Sequence, residues 1–373
     1  MRTLLNPMKI CLIYQHALGE GGYPRDVRWL ASTLAAHGAD VTLVCGETRN
    51  TEGLSGGVAI ARLESIPRRL EHFDLVHIFG LFIPAHMRLL EEAIRIGIPT
   101  VLSPMAVLMP LAVNRTRWKR MKKEAFMRLY AGTLSRVTSL HLLSQSESLS
   151  WSDVWRRPHR MFGQFGIFPL DPAAASAGAP LRRATAPFVF FGRNDVYQKG
   201  IDILLEAVRV AESRSASANA SIQLIIAGRP CSNSAEFIRA RVKRLARTEA
   251  VSVLGPLDIR SVYQLLGSAR ALVFLSRFDG PPRPIREAIS LGVPVIVSRE
   301  TNMGEVVEAH DAGAVVPLDA DAVAAALLEV WRDPQKSEWW RANVPRLKAA
   351  LSWDRVGGQY VSGYREVLNV PGH

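Results

Sequence analysis

Cysteine is scarce in this chain. Of 373 residues only Cys11, Cys45 and Cys231 are cysteines, far apart and with no Cys-x-x-Cys pair. That argues against a disulfide framework and a cysteine-ligated zinc site, and it suits a reducing compartment. Long apolar runs are also missing: none approaches the roughly 20 residues that a membrane-spanning helix needs. The basic N-terminus, Met1-Arg-Thr-Leu-Leu-Asn-Pro-Met-Lys9, has no apolar core of signal-peptide length before Pro7 and Lys9. The expectation is a cytoplasmic protein. Acid is in deficit, with 34 Asp and Glu against 46 Lys and Arg, for a formal charge of +12. Such a charge fits nucleic acid, an anionic membrane surface or anionic small substrates, and alone does not choose among them.

What is present is apolar residue in quantity, 48% of the chain, alternating with helical patterns. This predicts α/β architecture and enough length for two globular domains. The most informative stretch runs from Leu275 to Ser298. The apolar run Ala271–Leu275 reads as a buried strand, a Gly/Pro-rich turn follows, Ile285 to Leu291 reads as a short helix stopped by Gly292, and Pro294 to Val297 starts the next strand. In parallel sheets ligands bind where such loops leave the carboxyl ends of strands. This loop carries two carboxylates, Asp279 and Glu287, with seven residues between them.

That pattern resembles the acidic-x7-acidic signature of retaining glycosyltransferases of family 4, whose usual form is Glu-Gly-Phe-Gly-x-Pro-x-x-Glu-Ala followed by small-Gly-x-Pro-Val-Ile. Asp279, Gly280, Pro284, Glu287, Ala288, Gly292, Pro294, Val295 and Ile296 fall in register. The first acid is one methylene shorter, and Pro281-Pro282 replace Phe-Gly; proline has no N–H, so the loop offers fewer backbone donors. The resemblance implies a GT-B fold, two Rossmann-like doubly wound parallel-sheet domains facing across a cleft. The domains are expected at 1–172 (acceptor side) and 188–351 (donor-binding), with a small, proline-flanked linker at 173–187 and a C-terminal helix within 352–373 crossing back to the first domain.

In the first half, Lys9–Tyr14 reads as a strand, Gly19-Glu-Gly-Gly22 as a turn, and Tyr23–His37 as a helix. Free N–H groups and the helix dipole at such a turn suit phosphate, although a glycine turn also serves close packing alone. Gly21-Gly22 resemble the family's turn, which makes Gly22 a candidate donor-diphosphate ligand. Asp74–Phe79 reads as a strand with His77 near its end; a single His there is commonly packed, but the family's pattern makes it a catalytic candidate. Pro99–Leu108 reads as strand and loop. Relatives often have Ser-Pro-His-Gly or Ser-Pro-Arg-Gly here, which places Ser103 and Met105 on the acceptor side. Methionine neither exchanges a proton nor donates a hydrogen bond, so catalysis would rest on positioning and charge stabilisation. Ser144-Gln-Ser-Glu147 reads as a helix cap. Arg115 to Tyr130 reads as a basic helix, with Trp118, Met121, Ala125 and Leu129 forming one apolar face. It is either a surface helix docked on the core or, through Arg115–Arg128, a peripheral contact with an anionic membrane.

In the second half, Gly192-Arg-Asn-Asp-Val-Tyr-Gln-Lys-Gly200 follows a strand and precedes a helix. It resembles the family's Gly-Arg…Lys-Gly, with Gly192, Arg193, Lys199 and Gly200 matching. Negative charge grows on the β-phosphate as the nucleoside diphosphate leaves the sugar, and two fixed cations, Arg193 and Lys199, answer it in the role that a metal plays elsewhere. The resemblance makes Asp279 and Glu287 catalytic candidates beside His77; Asp279, Gly280 and Pro284 would hold the transferred sugar, with Glu287 accepting from ribose hydroxyls. Asp319-Ala-Asp321 resembles the metal signature of another transferase fold but stands where Asp caps a helix; no metal and no cofactor are expected.

The resemblance therefore implies a retaining glycosyltransferase moving a sugar from a nucleotide-sugar to a glycan or lipid-linked saccharide, as in surface polysaccharide or glycoconjugate synthesis. Two rivals stand beside it. One is a catalytically impaired sugar-nucleotide or glycan binder. The other is a nucleic-acid or membrane module built on the basic helix, of which the nucleic-acid form is not expected. The absence of a lysine-anchored cofactor motif counts against a phosphorylase.

Overall fold

The computed structural model describes residues 6–19, 22–46, 53–113, 116–148, 158–170, 186–214, 222–245 and 247–370, without the side chains of 67–69. The chain forms two compact units, Met1–Gly166 with Leu351–His373, and Ile167–Ala350. The expected linker, 173–187, lies outside the described residues apart from its last two.

In the first unit seven strands form one sheet: β1 (Lys9–Ile13), β2 (Asp40–Cys45), β3 (Val58–Arg62), β4 (Leu75–Phe79), β5 (Thr100–Ser103), β6 (Ser139–Leu142) and β7 (His159–Phe162). Their order is β3-β2-β1-β4-β5-β6-β7, and every pair is parallel. Both faces of such a sheet are covered, which is why β4 and β5 are buried along their whole length. The chain starts in the middle, winds outward through β2 and β3, then returns to β4 on the other side of β1. That reversal leaves a crevice at the carboxyl ends of β1 and β4.

The second unit repeats the plan with β8 (Phe188–Phe191), β9 (Leu224–Ala227), β10 (Val251–Leu254), β11 (Ala271–Phe274), β12 (Val295–Ser298) and β13 (Gly313–Val316), in the order β10-β9-β8-β11-β12-β13. The reversal falls between β8 and β11. The loops after those two strands are therefore neighbours although 80 residues separate Lys199 from Asp279. Among the described residues no helix is long and apolar enough to cross a membrane.

The helices include α1 (Gly22–Ala36), α2 (Pro84–Arg95), α3 (Arg117–Leu129), α4 (Ile201–Ser213), α5 (Arg283–Ser290) and α6 (Trp353–Leu368). The helix expected from Ile285 begins two residues earlier, because Pro284 sits in its first turn, where a missing N–H costs nothing. Helix α6 packs against α1 in the first unit, with Trp353 stacked on Trp29. Asp319 caps the helix Ala320–Arg332 by accepting from the Ala322 N–H at 2.9 Å, as its position suggested, and Asp321 pairs with Arg214.

The basic helix corrects one expectation. Thr116 caps α3, accepting from the Lys119 N–H, while Arg115 lies outside the described residues. The face docked on the core is Phe126, Met127 and Tyr130, with Phe126 edge-on to Phe82 at 5.1 Å and Lys123 donating to the Val107 carbonyl at 2.7 Å. The aromatic rings of Phe126 and Tyr130 find ring partners there, Phe126 lying against both Phe82 and Tyr130. Trp118, Met121 and Leu129 are left 64%, 58% and 76% exposed, and Ala125 is exposed with them.

Backbones crowd just past the carboxyl ends of β8 and β9, where Gly192 lies beside Gly228. A Cβ on Gly228, at φ +142°, would lie 1.7 Å from the Gly192 carbonyl oxygen, whereas one on Gly267 would meet nothing within 4 Å. Gly228→Ala is expected to cost more than about 4 kcal/mol, and Gly267→Ala, within a helix, to stabilise by up to about 1 kcal/mol. Denaturant melts of the two variants check this.

Candidate functional site

Two loops build the site of the second unit. The first leaves β8 at Gly192 and closes on itself, with the Lys199 N–H donating to the Asp195 carbonyl at 2.8 Å and the Gln198 N–H to the Asp195 carboxylate at 3.0 Å. Gly200, at φ +62°, then starts α4. A Cβ there would come 2.1 Å from the Leu275 carbonyl oxygen, so glycine is what lets this loop touch the one after β11. The contact is continued by the Arg277 N–H donating to the Gln198 carbonyl at 2.8 Å.

The sequence-predicted cation and acid meet at this junction. The Lys199 ammonium donates to Asp279 Oδ2 and stands 5.1 Å above the Phe274 ring; both side chains are largely buried, at 10% and 16% exposure. Asp279 also accepts from the Ser276 hydroxyl at 3.0 Å, and Asn302 donates to its carbonyl. Arg193 is exposed and donates to Gln198 Oε1 at 2.7 Å, while Gln198 Nε2 donates to the Phe278 carbonyl. Gln198 thus ties Arg193 to the acidic loop, a role its sequence position did not signal. Arg277 forms a two-pronged pair with Asp202, at 2.8 and 2.7 Å. Glu287 lies on α5, buried, and accepts from Arg283 Nε at 2.8 Å. Gly280 is buried, and Pro284 is half-buried in the first turn of α5.

In the first unit, the expectation that His77 belongs among the reacting groups finds no support in its geometry. Its ring is fully buried and both nitrogens are taken, Nδ1 by the Tyr364 hydroxyl and Nε2 by Ser103 Oγ, each at 2.7 Å. Ser103 continues to His141 Nδ1 at 2.7 Å, and His141 Nε2 meets the Gly163 carbonyl at 3.1 Å and the Tyr360 hydroxyl at 2.8 Å. One end fixes the whole chain. A carbonyl only accepts, so His141 Nε2 carries the proton and Nδ1 accepts from Ser103. Ser103 must then accept from His77 Nε2–H, leaving His77 Nδ1 to accept from Tyr364. The network braces β4, β5 and β6 against α6. It is legible only once strands 26 and 38 residues apart lie side by side.

Met105 follows this network, buried, at φ +61°, with Ala106 at φ +62°. Left-handed backbone costs a non-glycine residue roughly 1–2 kcal/mol, and here two come in succession. Gly22 opens α1, and the Tyr23 hydroxyl donates to the Met105 carbonyl at 3.2 Å, so these acceptor-side residues and Gly22 share one neighbourhood. Gly21 lies outside the described residues.

A cavity of about 450 Å³ opens past the carboxyl ends of β1, β2 and β3, lined in part by Gln15, His16, Glu64 and Arg88. His86 braces one wall. Its Nε2 accepts from the Gln15 N–H and its Nδ1 donates to the Gly80 carbonyl, both at 3.1 Å. Burial brings its pKa down to about 4, with the Gly80 bond opposing and His16 adding to the drop. Sequence patterns did not single out these residues, since each is an ordinary loop or helix position until the strands align. Among the described residues no cluster of three or more His, Cys, Asp or Glu is arranged to hold a metal ion.

Burial lowers the pKa of His77 well below the usual value, helped by nearby His141, and lowers His141 to about 4 against the Gly163 bond. A histidine depressed in the folded state stabilises fully above its unfolded value near 6.5, and that contribution is lost as pH falls towards the folded value. Stability should therefore drop between about pH 6.5 and pH 4, with both rings remaining neutral at pH 6; ¹⁵N NMR of the imidazoles and denaturant melts across that window read this.

Residues 186–333 match the family model described as Glycosyl transferases group 1. The chain is 34% identical over 125 residues to an O-antigen chain mannosyltransferase B of Escherichia coli, covering 33% of this chain and 32% of that protein. It is 28% identical over 178 residues to an MMP alpha-(1->4)-mannosyltransferase of Mycolicibacterium hassiacum, covering 47% and 41%. The alignments thus span less than half the length of these curated relatives. Whole-chain similarity is seen in solved structures: sucrose-phosphate synthase from Thermosynechococcus elongatus (TM-score 0.70, 19% identity, 98% of this chain and 100% of that one) and Anabaena HepE in complex with UDP and glucose (0.67, 15%, 96% and 100%). The chain has the GT-B fold, and its residues 186–333 are similar to the group 1 glycosyl transferases.

Proposed function

We propose that this protein is a nucleotide-sugar-dependent glycosyltransferase that moves a hexosyl group, with retention and without a metal, to a glycan or lipid-linked saccharide of a surface polysaccharide or glycoconjugate. The observation that carries this reading is the junction of Lys199 with Asp279 inside the region that matches the family. Arg193 and Lys199 neutralise the departing diphosphate. An ammonium has three N–H donors, so Lys199 can keep one on Asp279 and turn others to phosphate oxygen. Asp279, Gly280 and Pro284 hold the sugar, and Glu287 accepts from the ribose. The acceptor belongs to the first unit, where Ser103 and Met105 lie and where Gln15, His16, Glu64 and Arg88 offer hydrogen-bond partners to hydroxyls around an open cavity. Two relatives are mannosyltransferases, and one structural neighbour holds UDP with glucose; both support a nucleotide hexose as donor.

The test is a thermal-shift screen of UDP-, GDP- and ADP-sugars without added metal, followed by transfer assays with the stabilising donor. The stabilising donor should lose its shift in Arg193→Ala and Glu287→Ala, and Lys199→Ala should lower kcat by about 10²–10³. A shift without any transfer would favour the impaired sugar-nucleotide binder. No shift with any donor would remove the reading.

The outward stripe of α3 supports a peripheral membrane contact. Trp118, Met121 and Leu129 are exposed together, flanked by Arg117, Lys119, Arg120, Lys122 and Arg128. Apolar side chains among cations suit an anionic lipid surface, where each cation adds about 1 kcal/mol. The full chain should co-sediment with phosphatidylglycerol vesicles at low salt and less at high salt. Trp118→Ala with Leu129→Ala should weaken that binding, and phosphatidylcholine vesicles should not bind.

A further inference from the structure

The proposed function assigns the loop after β5 to the acceptor but leaves unexplained how that loop keeps its shape. Its two central residues, Met105 and Ala106, are both left-handed without being glycine. Such a turn persists only where surrounding groups over-determine it. The peptide bond between these residues is held at both of its polar atoms. The Met105 carbonyl accepts from the Tyr23 hydroxyl at 3.2 Å, and the Ala106 N–H donates to Glu147 Oε1 at 2.6 Å.

Glu147 is 2% exposed and lies in the helical turn Gln145–Ser148 after β6. Its second oxygen accepts from the Leu143 N–H at 2.9 Å, and its own N–H donates to Ser144 Oγ at 3.2 Å. The Ser-x-x-Glu spacing thus works in part as a cap, but one carboxylate oxygen is spent 41 residues away on the strained turn. A buried carboxylate is costly to keep unless hydrogen-bonded, and a carboxylate suits two converging N–H donors because it only accepts. Burial pushes the Glu147 pKa up to about 7 against the bonds from Leu143 and Ala106, so above that pH it only accepts, and an amide there would turn an NH₂ against one of the two donors.

We propose that Glu147 is a positioning residue, whose carboxylate, with the Tyr23 hydroxyl, clamps the Met105–Ala106 peptide in its left-handed turn and so fixes the loop that receives the acceptor. This rests on the proposed function, which gives that loop to the acceptor. Glu147 touches neither sugar nor diphosphate in this role; it acts through the backbone of Ala106. Lys123 of α3 holds the next stretch from outside, donating to the Val107 carbonyl, so the strained peptide is the part left to Glu147 and Tyr23.

The test is a double-mutant cycle on the full chain with Glu147→Gln, Ala106→Gly and both together, because glycine takes a left-handed conformation without strain. Ala106→Gly alone should raise the thermal midpoint by about 2–4 °C. Glu147→Gln should raise the acceptor KM about tenfold while the donor KM and the donor-induced thermal shift stay unchanged. Adding Ala106→Gly should restore the acceptor KM to within about twofold of the parent. Tyr23→Phe, which leaves the core chemistry intact, should show the same KM effect and the same rescue, and it stands in if Glu147→Gln does not fold. Equal effects of Glu147→Gln with and without Ala106→Gly would overturn the clamp and leave Glu147 a cap for Leu143 alone. A raised donor KM with an unchanged acceptor KM would also overturn it. Absence of transfer by the parent chain would remove the acceptor assignment and the proposed function together, while the thermal cycle would still decide the clamp.

Discussion

Every strand pair in both sheets is parallel, and that single constraint arranges nearly everything else. Parallel strands release all their carboxyl ends at one edge, so the loops that can meet a ligand are gathered there before any side chain is chosen. Winding outward from a central strand and back then brings together loops far apart in sequence. In the second unit the two brought together carry Lys199 and Asp279. In the first unit the carboxyl end of β5 carries Ser103, and beyond it the strained turn of Met105 and Ala106.

Close approach at those ends has a steric condition. The β8 loop can touch the β11 loop only because Gly200 has no side chain, and Gly192 passes Gly228 for the same reason. Once the backbones are that close, polar groups lose water and must be partnered. The two units solve this differently. The second uses opposite charges, with Lys199 held by Asp279 and Arg277 by Asp202. The first uses neutral relays, in which one carbonyl at Gly163 orders the protons from His141 through Ser103 and His77 to Tyr364. Burial keeps those imidazoles uncharged, and neutrality is what lets each ring donate on one side and accept on the other.

The helix α3 shows where periodicity misleads. Its sequence holds two apolar rows, and spacing alone cannot tell which one is buried. Trp118, Met121, Ala125 and Leu129 have the regular spacing, but Phe126, Met127 and Tyr130 have an aromatic partner in Phe82 to pack on. Complementarity with a neighbour decided the orientation, and the neighbour is distant in sequence. His77 illustrates the same limit in a strand: its position near a carboxyl end is open to chemistry until Tyr364 arrives from the far end of the chain.

What the sequence by itself determined is what depends on local rules. Strand and helix type follow from apolar period, the Asp319 cap from its position before a helix, and the α/β class from alternation along the chain. The spacing of Arg193, Lys199, Asp279 and Glu287 was also readable, because a loop and the helix after it keep their residues in fixed sequence register. Only the tertiary structure decided which atoms those residues meet: Lys199 on Asp279, Gln198 between Arg193 and the acidic loop, His77 walled in by Tyr364, and Glu147 spent on a peptide in another loop. Hydrogen bonds and desolvation depend on distances of a few ångströms between segments that the chain keeps dozens or hundreds of residues apart, and a linear pattern holds no record of those distances until the sheets are assembled.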